Sequence, residues 1–338
     1  MSIFYPPEWH AQKSVWFSFP HNSNEWQQLS LDNPLQEIQG FYKQLIAKIL
    51  DFQNVDLVFH SADLKNNCLD WIISLEKKHF KLETHVIANN DIWIRDYGPF
   101  FVFENKTKTV LDFEFNAWGQ KFPPWDLDNQ MPKKIAEKFA YPRKIFPYVL
   151  EGGALEFNGE GVVLTTKQCL LNQNRNPELS ELEIEKLLKD SFNLQKVIWL
   201  ERGLEGDHTD GHIDDFARFI AANKILLCQT DDVANPNYHH LLASKKSLEE
   251  QGVELDFLPL PQDMKRAGEY LPASYANFIF INNAIVMPLF NCPQDLIALE
   301  VFKKNFPKRT IITIDCQLLI QEGGGLHCMS KQEPELKN

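Results

Sequence analysis

The chain has 338 residues, with 34 Lys and Arg against 46 Asp and Glu, and so a formal net charge of −12 at neutral pH. That acid excess argues against a nucleic-acid surface and against attachment to an anionic membrane, both of which need basic patches. Hydrophobic residues at 44% and charged residues at 24% exclude disorder as the main state and suffice for a sizeable core.

The first twenty residues, MSIFYPPEWHAQKSVWFSFP, lack a basic segment followed by an apolar one, and no later run resembles a membrane span. A cytoplasmic location is therefore expected. Ile38, Phe41, Leu45 and Ile49 recur at helical spacing, as do Leu69, Ile72 and Leu75. Leu182, Ile184 and Leu187 mark a further helix, with Asn176 expected as its cap and Pro177 in its first turn. Two more helices are predicted over 238–250 and 293–305. Strands are predicted over 55–60, 100–104, 110–115, 162–166, 197–200, 225–229, 278–281, 285–289 and 311–314, all short and β-rich. Six cysteines, at 68, 169, 228, 292, 316 and 328, show no C-x-x-C or zinc-finger spacing and read as cytosolic thiols, most of them buried.

From Asp96 onward these elements follow the order strand, strand, helix, strand, and the order repeats. Units begin near Asp96, Glu151, His212 and Asn277, about 55–65 residues apart, and the first part of the chain supplies one more. Two echoes support the repeat: Glu151-Gly152-Gly153-Ala154-Leu155 against Glu322-Gly323-Gly324-Gly325-Leu326, and Asp96…Phe101-Val102 against Asp214…Phe219-Ile220. Repetition of this kind predicts units set radially about one axis, and no linker divides them, so residues 1–338 are expected to form a single domain. An ordinary doubly wound fold would show an early G-x-G-x-x-G after a strand, and none is present. No phosphate-binding loop is present either, so no nucleotide is expected.

Polar residues gather where the units begin. Asp91-Ile92-Trp93-Ile94-Arg95-Asp96 opens one, Glu151-Gly152-Gly153 the next, and Gly206 to Asp215 a third, while Gly323-Gly324-Gly325-Leu326-His327-Cys328 closes the chain. Equivalent positions of a radial fold converge, which would bring Asp96, Glu151, His212, Asp214 and Cys328 around one cavity. A cysteine thiolate is a strong nucleophile, a histidine shuttles protons near neutrality, and paired carboxylates can hold a planar guanidinium. Together they suggest attack on the carbon of a cationic amidine or guanidine.

Five segments, DIWIRDYGPFF, LEGGALEFNGEGVVLTT, CLLNQNRNP, GHIDDF and GGGLHC, in this order and over nearly the whole chain, resemble the agmatine deiminase family. That family includes bacterial-type peptidylarginine deiminases and belongs to the guanidino-group-modifying superfamily. The resemblance implies the pentein fold, an α/β propeller of five ββαβ blades with pseudo-fivefold symmetry. It implies hydrolytic deimination of agmatine to N-carbamoylputrescine through an amidino-cysteine, with no cofactor and no metal. By the same resemblance Cys328 is the nucleophile and His212 the general acid and base. Asp96 and Asp214 clamp the guanidinium, Glu151 stands beside the histidine, Trp93 lines the slot for the stem, and Asn277 is a supporting polar group. A homo-oligomer is implied as well. The family usually has an Asn between its glycines and the apolar-His-Cys run; here Leu326 follows Gly325 directly, which is expected to alter the contour of the pocket entrance.

Other readings compete with this one. Cys328 can be an ordinary thiol, Asp96 a turn cap, Glu151-Gly152-Gly153 a tight turn, and Trp93 plain core. His208 and His212 beside Asp214 suggest a metal-dependent hydrolase, although Gly211 and Thr209-Asp210 argue against the helix that site would need. Deimination of free or peptidyl arginine, and an arginine- or polyamine-binding protein without catalysis, complete the alternatives.

Overall fold

Five times in this chain a short strand runs antiparallel to a second strand, and a helix then carries the chain back to lay a third strand parallel to the second. The computed structural model describes residues 3–24, 26, 29, 31–262 and 264–336. In order, the triplets are Ser330–Pro334, Gln12–Ser18 and Asn54–Phe59; Phe100–Glu104, Thr107–Glu114 and Arg143–Val149; and Glu156–Phe157, Val162–Thr166 and Lys196–Leu200. Ala217–Ala221, Lys224–Gln229 and Glu254–Pro259 follow, then Ile279–Ile281, Ala284–Leu289 and Thr310–Asp315. The parallel pairing requires a crossover, and the helices Pro34–Ile49, Met131–Phe139, Glu181–Phe192, Tyr238–Glu250 and Gln294–Asn305 supply it. Leu82–Val86 and Ile3–Phe4 each add a fourth strand to a sheet, and Lys265–Arg266 with Glu269–Tyr270 forms a separate hairpin. The ends of the chain meet, because Ser330–Pro334 pairs with Gln12–Ser18.

The helices follow local chemistry. Pro34–Ile49 starts at Asn33, whose side chain accepts from the Gln36 amide, and buries Ile38, Phe41, Tyr42, Leu45, Ile46 and Ile49. Glu181–Phe192 starts four residues later than expected, at a capping box of Ser180 and Glu183. Asn176 does not cap it. Its side chain instead holds both the amide and the carbonyl of Val149, tying the loop to a neighbouring sheet. The 69–75 pattern forms Leu69–Ser74 and the 3-10 turn Leu75–Lys77, a surface helix with Leu69 and Ile73 exposed. The strands Leu82–Val86, Arg143–Val149 and Glu254–Pro259 carry no strong apolar signal because they are outer strands, largely half-buried. Among the described residues no helix is long and apolar enough to cross a membrane.

A charged network runs through the interior under the first strands. Arg218, fully buried, donates to Glu8 at 2.7 Å, to Glu156 at 2.9 Å and to the carbonyls of Ala276 and Phe278. Glu156 accepts from the Phe219 amide and Glu8 from that of Phe280, so the ions join three sheets with their acceptors satisfied.

Candidate active site

The turn ahead of the first strand is the recurring position that carries chemistry. Asp96 lies on the turn Ile94–Tyr97 ahead of Phe100–Glu104, Glu151 caps the 3-10 turn Gly152–Ala154 ahead of Glu156–Phe157, and His212 caps Ile213–Asp215 ahead of Ala217–Ala221. Asn277 precedes Ile279–Ile281, and Cys328 precedes Ser330–Pro334. All of these residues are buried.

Gly153 is the point on which the first three of these turns close. Its amide donates to Asp96 Oδ1 at 2.7 Å. A side chain there would strike His212 Nδ1 at 2.6 Å, Asp96 Oδ1 at 2.8 Å and Asp214 Oδ1 at 3.1 Å, so only glycine fits. His212 Nδ1 faces Asp96 Oδ1 at 3.8 Å and its Nε2 faces Glu151 Oε2 at 3.9 Å, contacts too long for hydrogen bonds. Nε2, Glu151 Oε2 and Asp214 Oδ1 are all buried without a hydrogen-bond partner among the described residues. The histidine is presented by a tight loop rather than a helix, with Asp210 and Gly211 at φ of 70° and 93° and Asp207 Oδ2 accepting from the Gly211 and His212 amides.

Cys328 is 7% exposed, and its Sγ receives Asn277 Nδ2 at 3.2 Å. The same amide donates to Asp215 Oδ1 at 2.8 Å. Asp214, Asp215 and Cys328 present oxygen and sulfur atoms within 4.8 Å of one another. His327, next to the thiol, sits between two carboxylates, with Nδ1 at 2.6 Å from Asp214 Oδ2 and Nε2 at 2.6 Å from Glu8 Oε2.

A cavity of about 160 Å³ reaches the thiol. Trp93, Asp96, Asp215 and Cys328 line it, with Trp118 and Phe122 as further aromatic walls. His212, Glu151, Asp214 and Asn277 stand behind that surface. Trp93 packs its ring where a side chain on Gly324 would have to go, and Asn277 does the same at Gly325, so the glycines before Leu326 seat the segment against the site. A larger hollow of about 590 Å³, lined by Thr230, Asp231, Pro259 and Tyr270 among others, contains no cysteine or histidine among the described residues.

Burial dominates the electrostatics. It pushes the Cys328 thiol well above its ordinary pKa, and Asp214, Asp215 and Asp96 push it further, so these groups hold the sulfur as a thiol. Asp96 is raised to about 6, by burial first and then by Asp214 and Glu151, against the opposing pull of His212. Burial lowers His212, but the Asp96 carboxylate, with Cys169 and Glu151, outweighs it and holds the imidazole well above its ordinary value. Burial would raise Glu151; the Arg175 guanidinium, whose Nε donates to Glu151 Oε1 at 2.7 Å, more than offsets this and keeps it ionised.

The sequence reading missed several of these residues. Trp118 donates Nε1 to Asp96 Oδ2 at 2.9 Å from a backbone held at φ 54°, a left-handed conformation unusual for a bulky side chain and found where geometry is over-determined. Asn116-Ala117-Trp118-Gly119 carries no motif that sets this tryptophan apart from the other seven. Asp215, rather than Asp214, lines the cavity, because the 3-10 turn directs consecutive side chains differently. The proposed metal trio of His208, His212 and Asp214 is not assembled. With glycine at 211 and a left-handed Asp210, residues four apart share no helix face, and His208 lies instead on the cavity wall beside Phe122. Among the described residues, the groups able to hold a metal are Glu151, Cys169 and His212, and Asp214, Asp215 and Cys328.

A family model, Porphyromonas-type peptidyl-arginine deiminase, matches residues 4–334. The chain belongs to this family. A putative agmatine deiminase of Legionella pneumophila (strain Paris) is 35% identical over 341 residues, covering 98% of this chain and 96% of that protein. The agmatine deiminase of Pseudomonas syringae pv. syringae is 32% identical, covering 97% of this chain and 95% of its own length. Among solved structures, a cysteine-to-serine C. jejuni agmatine deiminase with substrate bound has a TM-score of 0.90 at 37% identity, covering 99% of this chain and 97% of that one. The mixed α/β architecture of this member of the peptidyl-arginine deiminase family is thus the one those enzymes share.

Proposed function

We propose that this chain hydrolyses the guanidino C–N bond of agmatine, giving N-carbamoylputrescine and ammonia through a covalent amidino-cysteine. One observation carries the reading: a buried cysteine, a raised histidine and several under-satisfied carboxylates meet at a cavity with aromatic walls, in a chain whose relatives are agmatine deiminases. The five sheets would stand as blades about the site, with residues 1–338 forming one catalytic unit.

In this mechanism Asp96, on the cavity wall, and Asp214, just behind it, hold the guanidinium nitrogens at the inner end of the cavity, where Asp96 Oδ1 and the unpartnered Asp214 Oδ1 flank the same point over Gly153. The cation offsets the carboxylates that keep Cys328 protonated, the thiol proton leaves to water, and the thiolate attacks the guanidinium carbon. His212, charged in the resting site, protonates one nitrogen, the C–N bond breaks and ammonia departs. The neutral imidazole then takes a proton from water, the resulting hydroxide adds to the amidino carbon, and the C–S bond breaks as the hydroxyl proton leaves to water, which releases the neutral ureido product and the thiolate. Glu151, kept ionised by Arg175, supports the charged histidine from behind, while Trp93 and Trp118 flank the methylene stem and Asn277 orients the sulfur. A cavity this small favours agmatine over a peptide.

The test is to incubate the protein with agmatine, free arginine and an arginine-containing peptide, and to score ureido product against ammonia. Equimolar release from agmatine supports the reading; turnover of the peptide in preference to agmatine would sink it.

A further inference from the structure

The cavity above Cys328 also carries two acids that the deimination steps do not use, Asp91 and Glu322. They come from opposite ends of the chain and line the same space as the thiol, with Trp26, Trp93, Trp118 and Phe122. Glu322 has a side chain only 12% exposed, and its Oε1 is buried without a hydrogen-bond partner among the described residues; Arg266 Nη1 stands off at 3.8 Å. Asp91 Oδ1 accepts from the adjacent Ile92 amide at 2.6 Å, a local bond that leaves the carboxylate its remaining acceptor capacity. Burial raises both carboxyl groups to about 7, and Asp91 adds to the rise at Glu322. Two acids so near neutrality in one aromatic cavity form a site poised to ionise when a cation arrives.

We infer that Asp91 and Glu322 receive the ammonium at the far end of the substrate, so that the enzyme selects guanidines whose apolar stem ends in a cation. The inference rests on the deimination reading and extends it. The clamp around Cys328 takes one cationic end, the tryptophans cover the stem, and this pair takes the other end. Free arginine would bring its α-carboxylate against the same acids, and like charges in a partly desolvated site exclude each other. A neutral alkyl end would leave both carboxyls protonated and gain nothing from them.

The experiment compares kcat/KM for agmatine and for n-butylguanidine, which has the same stem without the ammonium, in the wild type and in Glu322→Gln, Glu322→Asp and Asp91→Asn. The expected result is that Glu322→Gln and Asp91→Asn each lower agmatine kcat/KM about 10- to 100-fold, chiefly through KM. The loss should be at least about ten times larger than that for n-butylguanidine, and Glu322→Asp should recover part of it. Equal losses on both substrates, or no loss on agmatine, would overturn the assignment. Turnover of n-butylguanidine by each variant shows that it is folded. A wild type that deiminates neither compound would instead remove the reading on which the assignment stands.

Discussion

Replacing Trp118 by Phe keeps an aromatic wall in the cavity and removes one hydrogen, the Nε1–H that Asp96 Oδ2 accepts at 2.9 Å. A hydrogen bond to a charged group contributes roughly 1.5–3 kcal/mol, and one pKa unit corresponds to about 1.4 kcal/mol, so losing it moves Asp96 up by about 1–2 units. From the present value of about 6, the carboxyl would then titrate near 7 to 8. At pH 7 the ionised fraction falls from roughly 0.9 to between about 0.5 and 0.1, and with it the capacity to clamp a guanidinium. The assay is the pH dependence of kcat/KM on agmatine, which reports groups of the free enzyme. The acidic limb should shift to higher pH by about 1–2 units, with activity at pH 7 down roughly 2- to 10-fold and largely recovered above pH 9. A uniform loss at every pH, with the limb unmoved, would refute the reasoning and reduce Trp118 to a packing contact.

Cys328→Ala should abolish turnover by at least about 10³-fold while agmatine still binds by calorimetry, since the clamp does not include the sulfur. Iodoacetamide should inactivate the wild type, slowly in the empty site because the thiol is protonated, and activity should survive EDTA; the reverse pattern would favour a metal at Glu151, Cys169 and His212 or at Asp214, Asp215 and Cys328. Arg175→Gln leaves Glu151 buried without its counter-ion, so its carboxyl rises, His212 loses support and falls, and kcat should drop about 10-fold or more with the alkaline limb moved to lower pH. Agmatine binding to Cys328→Ala at pH 6.5 should release about one proton or more, seen as buffer-dependent heat, because Asp91 and Glu322 titrate at about 7; adding Glu322→Gln should cut that release by about 0.8 proton, and net uptake would contradict it.

What the sequence made legible was whatever depends on position along the repeat. The apolar periodicity placed four of the five central strands, all but Gln12–Ser18, and four of the five crossover helices, all but Met131–Phe139, and the polar residues ahead of each first strand, Asp96, Glu151, His212, Asn277 and Cys328, stood out as deviations from that pattern. Side-chain direction was not legible. Asp214 and Asp215 are adjacent in sequence, yet one turns inward to His327 while the other faces the cavity. Trp118 reaches Asp96 only because four consecutive residues, 117–120, take positive φ, which no propensity of Ala, Trp or Gln announces. Asn176 looked like a helix cap because Asn-Pro so often is one; a tertiary contact with Val149 took it instead. Arg175 lies inside the recognised segment CLLNQNRNP and Glu8 in none of the five, and their roles as buried counter-ions depend on partners 24 and more than 200 residues away.

The acids at this site are individually costly, since burial raises Asp91, Asp96 and Glu322 and no protein cation satisfies all of them. A cationic substrate is the missing counter-ion. Its arrival lets the carboxyls ionise, and the same cation relieves the repulsion that holds the Cys328 proton in place, so nucleophile activation is coupled to the charge of what binds. The coupling also acts in the other direction once the reaction is over. Deimination converts a guanidinium into a neutral ureido group, which returns the clamp to carboxylates facing one another and Cys328 to its protonated state. Affinity for the reacted end is thereby lost at the moment chemistry finishes, while the ammonium end, unchanged by the reaction, keeps its hold on Asp91 and Glu322. A 1,4-diaminobutane derivative with one free ammonium should therefore be the persistent inhibitor, competitive with agmatine and weaker in Glu322→Gln; inhibition that ignores that substitution would place the residual hold elsewhere.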